Sequence, residues 1–180
     1  MVVMKQEALE VLYNRRSIRR FKPEQIKEEE LDLVLKAGTY APTGKGTQSP
    51  LIIAVQNKED IKTLNRLSAA IMGRDIEPYY GAPTIILVLS TKLATNDFLG
   101  TLDAASVCTN MLNAAYAVGL GSCWIHRAHE IFDSEEGKAL LKKWNVNEPV
   151  VGVASIALGY SDMPSPEPKP RREGYVLKIK

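Results

Sequence analysis

Four short segments carry more chemistry than packing alone requires. The first is Arg15-Arg16-Ser17-Ile18-Arg19-Arg20-Phe21. Arginine presents a planar, permanently charged fork that fits phosphate oxygens, and the Ser17 hydroxyl adds another donor. The second, Ala41-Pro42-Thr43-Gly44-Lys45-Gly46-Thr47-Gln48, has little side-chain bulk, so its backbone can approach a flat ligand closely. It is not a phosphate-cradling Walker A loop, because the G-K-[ST] ending at its required spacing is missing. The third, Ala114 to Trp124, ends a helix in the glycine-flanked turn Gly119-Leu120-Gly121-Ser122, which can present backbone N–H groups. The fourth is Gly159-Tyr160-Ser161 followed by a second cation cluster, Lys169-Pro170-Arg171-Arg172. Each has a plainer reading: a basic run is commonly a solvated face, and a Gly/Thr-rich stretch an ordinary surface loop. A nucleic-acid-binding arm at Arg15–Lys22 is a further alternative, but the aromatic or additional basic partners it needs are not evident.

Other reactive side chains argue for less. Cys123, His126 and His129 stand at C-x2-H-x2-H spacing, and His126 and His129 are the chain's only histidines. Zinc would need a fourth ligand such as Glu130, and no second cluster supports one, so no metal site is expected. Cys123 has neither a dedicated base nor a third orienting group, which leaves small apolar packing as its role. Trp124 and Trp144 read as core, and Glu28-Glu29-Glu30 as the acidic first turn of a helix. No carboxylate pair suits glycoside hydrolysis, and no Ser-His-Asp set is readable.

The elements that must position these segments follow from apolar periodicity. Gln6–Asn14 reads as a first helix that leads into the basic cluster, and Pro23 breaks the chain after Phe21. Glu28–Ala37 reads as a second helix with Gly38 as its stop, and Tyr40–Pro50 as a long loop. Strands are expected at Leu51–Gln56, Thr84–Ser90 and Val150–Leu158, with a short extended piece at Cys123–Ile125. Helices are expected at Lys58–Met72, from an Asn96 or Asp97 cap to about Val118, and at Ser134–Trp144. The second of these helices, ending near Val118, is apolar over more than one face, which suits a core centre or a subunit interface. Asp75–Gly81 reads as a punctuated, mobile segment. Pro164, Pro166, Pro168 and Pro170 make the tail extended, and Tyr175-Val176-Leu177-Lys178-Ile179 patterns like a strand in want of a sheet. Helices alternating with buried-type strands argue for a layered α/β domain.

Composition sets the bounds. Hydrophobic residues make up 45% and charged residues 24% of the 180, ordinary globular values that disfavour disorder. The net charge of +2 is too small to imply a nucleic-acid partner. Two unpaired cysteines, no leader in Met1–Glu10 and no apolar run of membrane-spanning length predict a soluble, cytoplasmic protein of one domain, residues 1–180.

Taken together, in this order and spacing, the four segments resemble the FMN-dependent nitroreductase family over nearly the whole chain. The most specific elements are the opening R-R-S-x-R-x-F and the closing G-Y-x(8)-K-P-R. The resemblance implies a three-layer α-β-α sandwich, an interlocked homodimer with FMN at the interface, and a tail from residue 160 that wraps the partner subunit. It implies that Arg15, Lys169 and Arg171 hold the FMN phosphate and that Arg16 and Ser17 bind the phosphate–ribityl side. Arg19 matches the basic residue at the pyrimidine edge. Pro42, Thr43, Gly44 and Gln48 match the loop that reaches the other subunit's flavin, and Gly121, Ser122 and Cys123 match the turn facing the N5 side. Two departures concern the substrate pocket: Gly46 stands where many relatives have Asn, and Ser49-Pro50 stands where they have Trp after a Gln-Pro pair. Asp75–Gly81 is also short where relatives carry longer insertions. The implied activity is ping-pong electron transfer from NAD(P)H to an electron-poor acceptor such as a nitroaromatic or quinone, with no side chain expected as acid–base catalyst. Alternatives on the same fold are reductive dehalogenation, flavin fragmentation, or flavin binding without turnover.

Overall fold

The computed structural model describes residues 3–180, with side chains from Glu7 onward; Met1 and Val2, part of the segment read for a leader, lie outside the described residues. Its centre is a four-stranded sheet in the order β1-β2-β4-β3, where β1 is Pro50–Val55, β2 Thr84–Thr91, β3 Gly121–Ile125 and β4 Val150–Gly159. Every pairing is antiparallel. The central strand β2 is buried along its whole length and reads as a continuous apolar run, because helices cover both faces of the sheet.

The two faces are separable residue by residue. Ile85, Leu87 and Leu89 of β2 point into one core with helices α3 (Lys58–Met72), α5 (Ala128–Asp133) and α6 (Glu135–Lys143). Ile86 and Val88 point into the other, with α2 (Glu28–Thr39) and α4 (Asp97–Ala117). The result is the expected three-layer α-β-α sandwich, with α1 (Val3–Asn14) at its side. Local caps set several helix starts. Asn57 accepts from the N–H groups of Glu59 and Asp60, Asn96 from that of Leu99, and Ser134 from that of Gly137.

Three sequence expectations change. Gly38 does not stop α2, which runs on to Thr39; a Cβ there would sit 2.8 Å from Met111 Cγ, so the glycine is where α2 closes on α4. The mobile segment Asp75–Gly81 contains Tyr79, a fully buried anchor whose hydroxyl donates to Ser155 Oγ at 3.2 Å and whose N–H donates to Asn65 Oδ1. Helix α5 was not expected at all; it lies so close to β4 that a Cβ on Gly152 would meet Ala128 O at 2.1 Å. The tail holds no helix, as expected, but residues 175–179 find no strand partner among the described residues. The outer edge of β3 is already met by Ser17.

Two buried carboxylates tie distant elements together. Asp60 accepts from Lys143 Nζ at 2.5 Å and from the Trp144 indole N–H at 2.9 Å, which clamps the end of α6 to the start of α3. Asp103, on α4, accepts from Gly44 N–H at 2.8 Å and from Ser49 Oγ–H at 2.9 Å, which fixes both ends of the Thr43–Ser49 loop. The Asp103→Ala variant strands two donors, one of them on a fully buried serine, and should cost about 1–3 kcal/mol in urea unfolding. An unchanged unfolding midpoint would mean the loop is held by other contacts.

Burial raises the Asp60 carboxyl, but the Lys143 and Trp144 donors outweigh it and hold the group below its ordinary value. A depressed carboxylate stabilises the fold above its unfolded pKa of about 4, and that contribution fades as pH falls through the lower folded value. Asp60→Asn should therefore lower the urea midpoint at pH 7, and the gap to the parent protein should narrow toward pH 3. A gap of constant size across that range would show that charge is not what Asp60 contributes.

Candidate functional site

The first basic segment is sewn to the edge of the sheet by its backbone. Ser17 bridges Ser122 in parallel and Phe21 bridges Ser161 antiparallel. The Ile18 N–H donates to Ser122 O at 3.0 Å, Lys22 N–H to Tyr160 O at 2.9 Å, and Asp162 N–H to Arg20 O at 3.0 Å. This docking needs Gly121, since a Cβ there would press on the Ile18 side chain at 3.0–3.1 Å. Tyr160 in turn donates to Glu30 Oε2 at 2.6 Å, so the chain leaving β4 is pinned to α2. That hydrogen bond is the main cause of a lowered Glu30 carboxyl and a raised Tyr160 phenol.

Seen from this edge, the two cation clusters of the sequence become one site. A cleft of about 340 Å³ is lined by Arg15, Arg16, Ser17, Arg19, Lys169 and Arg171, with Glu167 as its single acid. None of those five cations makes an ion pair among the described residues. Arg20 and Arg172 are engaged elsewhere, the first with Asp162 and the second over the Tyr175 ring at 5.3 Å. A second hollow of about 160 Å³ shares Arg15 and Arg16 and adds Gly121, Ser122, Tyr116 and Met163. Tyr116 lies in the third segment, although no role was expected of it there, and Met163 lies in the tail with no pattern to mark it.

Arg16 does two things. Its Nη1 donates to Tyr13 O at 2.8 Å and Arg15 O at 2.7 Å, which caps the end of α1, while its Nε is buried with no partner among the described residues. A buried donor without an acceptor costs free energy that a bound oxyanion or hydroxyl would recover. Cys123 is buried beneath the same segment; burial pushes its thiol up against the opposing pull of Arg19, Ser17 and Arg15. A raised thiol is protonated at neutral pH, which suits packing and not nucleophilic attack.

The remaining expected residues are not gathered here. Thr43 and Gln48 line a separate hollow of about 110 Å³ between α2 and α4, and no residue is common to it and the cationic cleft. Gly44 is held by Asp103, Pro42 is exposed, and Thr47 Oγ1 is buried with no partner among the described residues. The loop is strained: Lys45 and Gln48 adopt left-handed φ values of 57° and 51° although neither is glycine. His126, His129 and Glu130 line yet another hollow at the far end of β3. Among the described residues no three His, Cys, Asp or Glu side chains are placed to hold a metal ion. No helix among the described residues is long and apolar enough to cross a membrane.

Comparison with known proteins bears on the same architecture. Residues 12–79 match the model of the Nitroreductase family, a stretch that holds both the basic segment and the strained loop. An Archaeoglobus fulgidus protein named "Putative NADH dehydrogenase/NAD(P)H nitroreductase" is 30% identical over 86% of this chain and 86% of its own. Among solved structures, a Bacteroides fragilis nitroreductase with bound FMN superposes with a TM-score of 0.87 at 29% identity, covering 97% of this chain and 99% of that one. A Desulfitobacterium hafniense nitroreductase with bound FMN gives the same TM-score at 24% identity, over 97% and 98% of the two chains, and speaks for the fold alone. Sandwich, sheet-edge docking and sequence likeness over most of both chains agree, and the chain belongs to the nitroreductase family.

Proposed function

We propose that this chain binds FMN and, as a homodimer, passes electrons from NAD(P)H to an electron-poor acceptor such as a nitroaromatic or quinone in a ping-pong reaction. The observation that carries the reading is the cleft of cations that make no ion pair among the described residues, with the buried Arg16 Nε lacking a partner among them too. A phosphate dianion fits that chemistry, and the structural relative named above was crystallised with FMN. In this reading Arg15, Lys169 and Arg171 hold the phosphate, and Arg16 and Ser17 serve the phosphate–ribityl side. Arg19 stands at the pyrimidine edge, where a cation stabilises the negative charge that reduction builds. Gly121, Ser122 and Cys123 supply a low, tightly packed wall. When bound, FMN supplies reversible two-electron redox chemistry, and the protein's part is binding, orientation and electrostatics.

The second subunit enters through surface composition. Phe98, Leu102 and Tyr116 are exposed on α4, and Leu9, Leu12 and Tyr13 are exposed on α1. Val176, Leu177 and Ile179 of the tail are at least 70% exposed. So much large apolar surface on one chain supports a covered interface, with the tail lying over the partner. The same arrangement lets Pro42, Thr43, Gly44 and Gln48, which lie apart from their own chain's cleft, serve the cleft of the partner. Residues 1–180 act as one domain in this reading.

The purified protein should be yellow, and its visible absorption should bleach on anaerobic addition of NADPH or NADH. A colourless protein that takes up no added FMN would overturn the reading and return the basic segment to nucleic acid as a candidate ligand. A yellow protein that neither donor reduces would instead be a flavin carrier. Arg15→Ala should weaken FMN binding by about 1.5–3 kcal/mol, roughly one to two powers of ten in Kd. Equal affinity in parent and variant would remove Arg15 from the phosphate site.

A further inference from the structure

Lys45 is the one charged residue of the strained loop, and the preceding reading leaves its side chain unused. Its backbone is left-handed at φ 57°, ψ 16°, and Gly46 beside it is left-handed too. An unbranched cationic side chain gains nothing locally from that conformation, which costs about 1 kcal/mol or more where residues other than glycine adopt it. The conformation is imposed from outside. Asp103 grips Gly44 and Ser49, Thr43 Oγ1 accepts from Gln48 N–H at 3.0 Å, and Thr91 Oγ1 donates to Ser49 O at 2.8 Å. On this clamped platform Lys45 is exposed and makes no ion pair among the described residues. The space next to it is open, because a Cβ added to Gly46 would meet nothing within 4 Å. Thr47 Oγ1, two residues on, is buried and lacks a partner among the described residues. The loop thus offers an exposed cation on a clamped backbone, beside open space at Gly46.

We infer that Lys45 is a specificity-determining residue that recruits an oxyanion on one of the two reactants, a phosphate of the nicotinamide donor or a carboxylate of the acceptor. The inference rests on the flavin reductase reading above, in which this loop faces the partner's cleft. Lysine suits the task as a compact point charge with rotating donors, able to meet a phosphate or a carboxylate without a fixed fork geometry. Gly46 leaves room for a reactant that a side chain at that position would crowd.

The test uses the flavin-loaded protein with two matched pairs of reactants: NADPH against NADH, and 4-nitrobenzoate against 4-nitrobenzamide. Lys45→Asn removes the charge while keeping a residue that tolerates the left-handed region, and Lys45→Arg keeps the charge. In Lys45→Asn, kcat/KM for the anionic member of one pair should fall about tenfold relative to its neutral or less charged counterpart, chiefly through KM. Lys45→Arg should retain most of the discrimination, and the preference in the parent protein should shrink as salt is raised. Calorimetric titration of the oxidised protein with NADP+ and NAD+ reads the donor arm without turnover. Selectivity lost between the nicotinamides identifies the donor phosphate as the partner of Lys45; selectivity lost between the nitroaromatics identifies the acceptor carboxylate. Equal losses within both pairs, or the same loss in Lys45→Arg as in Lys45→Asn, would overturn the inference. A parent protein without flavin would sink the underlying reading instead, before any variant is compared.

Discussion

The constraint on which the rest of the molecule depends is the close backbone approach between residues 17–22 and the edge formed by β3 and the exit of β4. It is made of main-chain hydrogen bonds and two single-residue bridges, with Gly121 leaving the room. Main-chain bonds fix the positions of side chains without consuming them. Arg15, Arg16, Ser17 and Arg19 are therefore delivered to one place, facing Lys169 and Arg171 from far along the sequence, with none of the cations in an ion pair among the described residues. A site assembled by side-chain ion pairs would have neutralised the charge it was meant to present.

Helix α4 serves the other half of the design. Its inner face is core, through Ala104, Val107, Cys108, Met111, Leu112 and Ala115, while Phe98, Leu102 and Tyr116 remain outside. Among these apolar residues sits Asp103, nearly inaccessible and wholly engaged with the loop. One helix thus anchors a core, carries exposed apolar residues and grips the strained loop. Its burial in the sandwich is what makes a strained Lys45 sustainable, since the conformation is held by tertiary contacts that local preference would not supply.

Much of this was legible in the sequence, and the exceptions share a cause. Helix α3 could be bounded at Lys58 and Met72 from its amphipathic pattern, and the structure adds the caps Asn57 and Gly73 at those ends. The long helix could be placed because Asn96 caps it and its apolar residues exceed one face. The basic segment, the small-residue loop and the second cation cluster were visible as residue types. What local pattern does not carry is pairing across the chain. Tyr79 looked like part of a punctuated loop until its contact with Ser155 was known, Gly38 looked like a stop signal until Met111 filled the space beside it, and Asp103 gave no sign of its two loop donors. Helix α5, six residues long, offers too little periodicity to be seen at all.

The cationic cleft has walls from residues 15–19 and from residues 166–171, near opposite ends of the described chain. During synthesis, at about 5–20 residues per second, the first wall is made and then waits for the second while the intervening residues 20–165 emerge. An anion held between the two walls therefore acts as a clasp on a very long loop. Whatever binds there adds its free energy to the folded state alone, and so couples ligand supply to how long the tail escapes proteases.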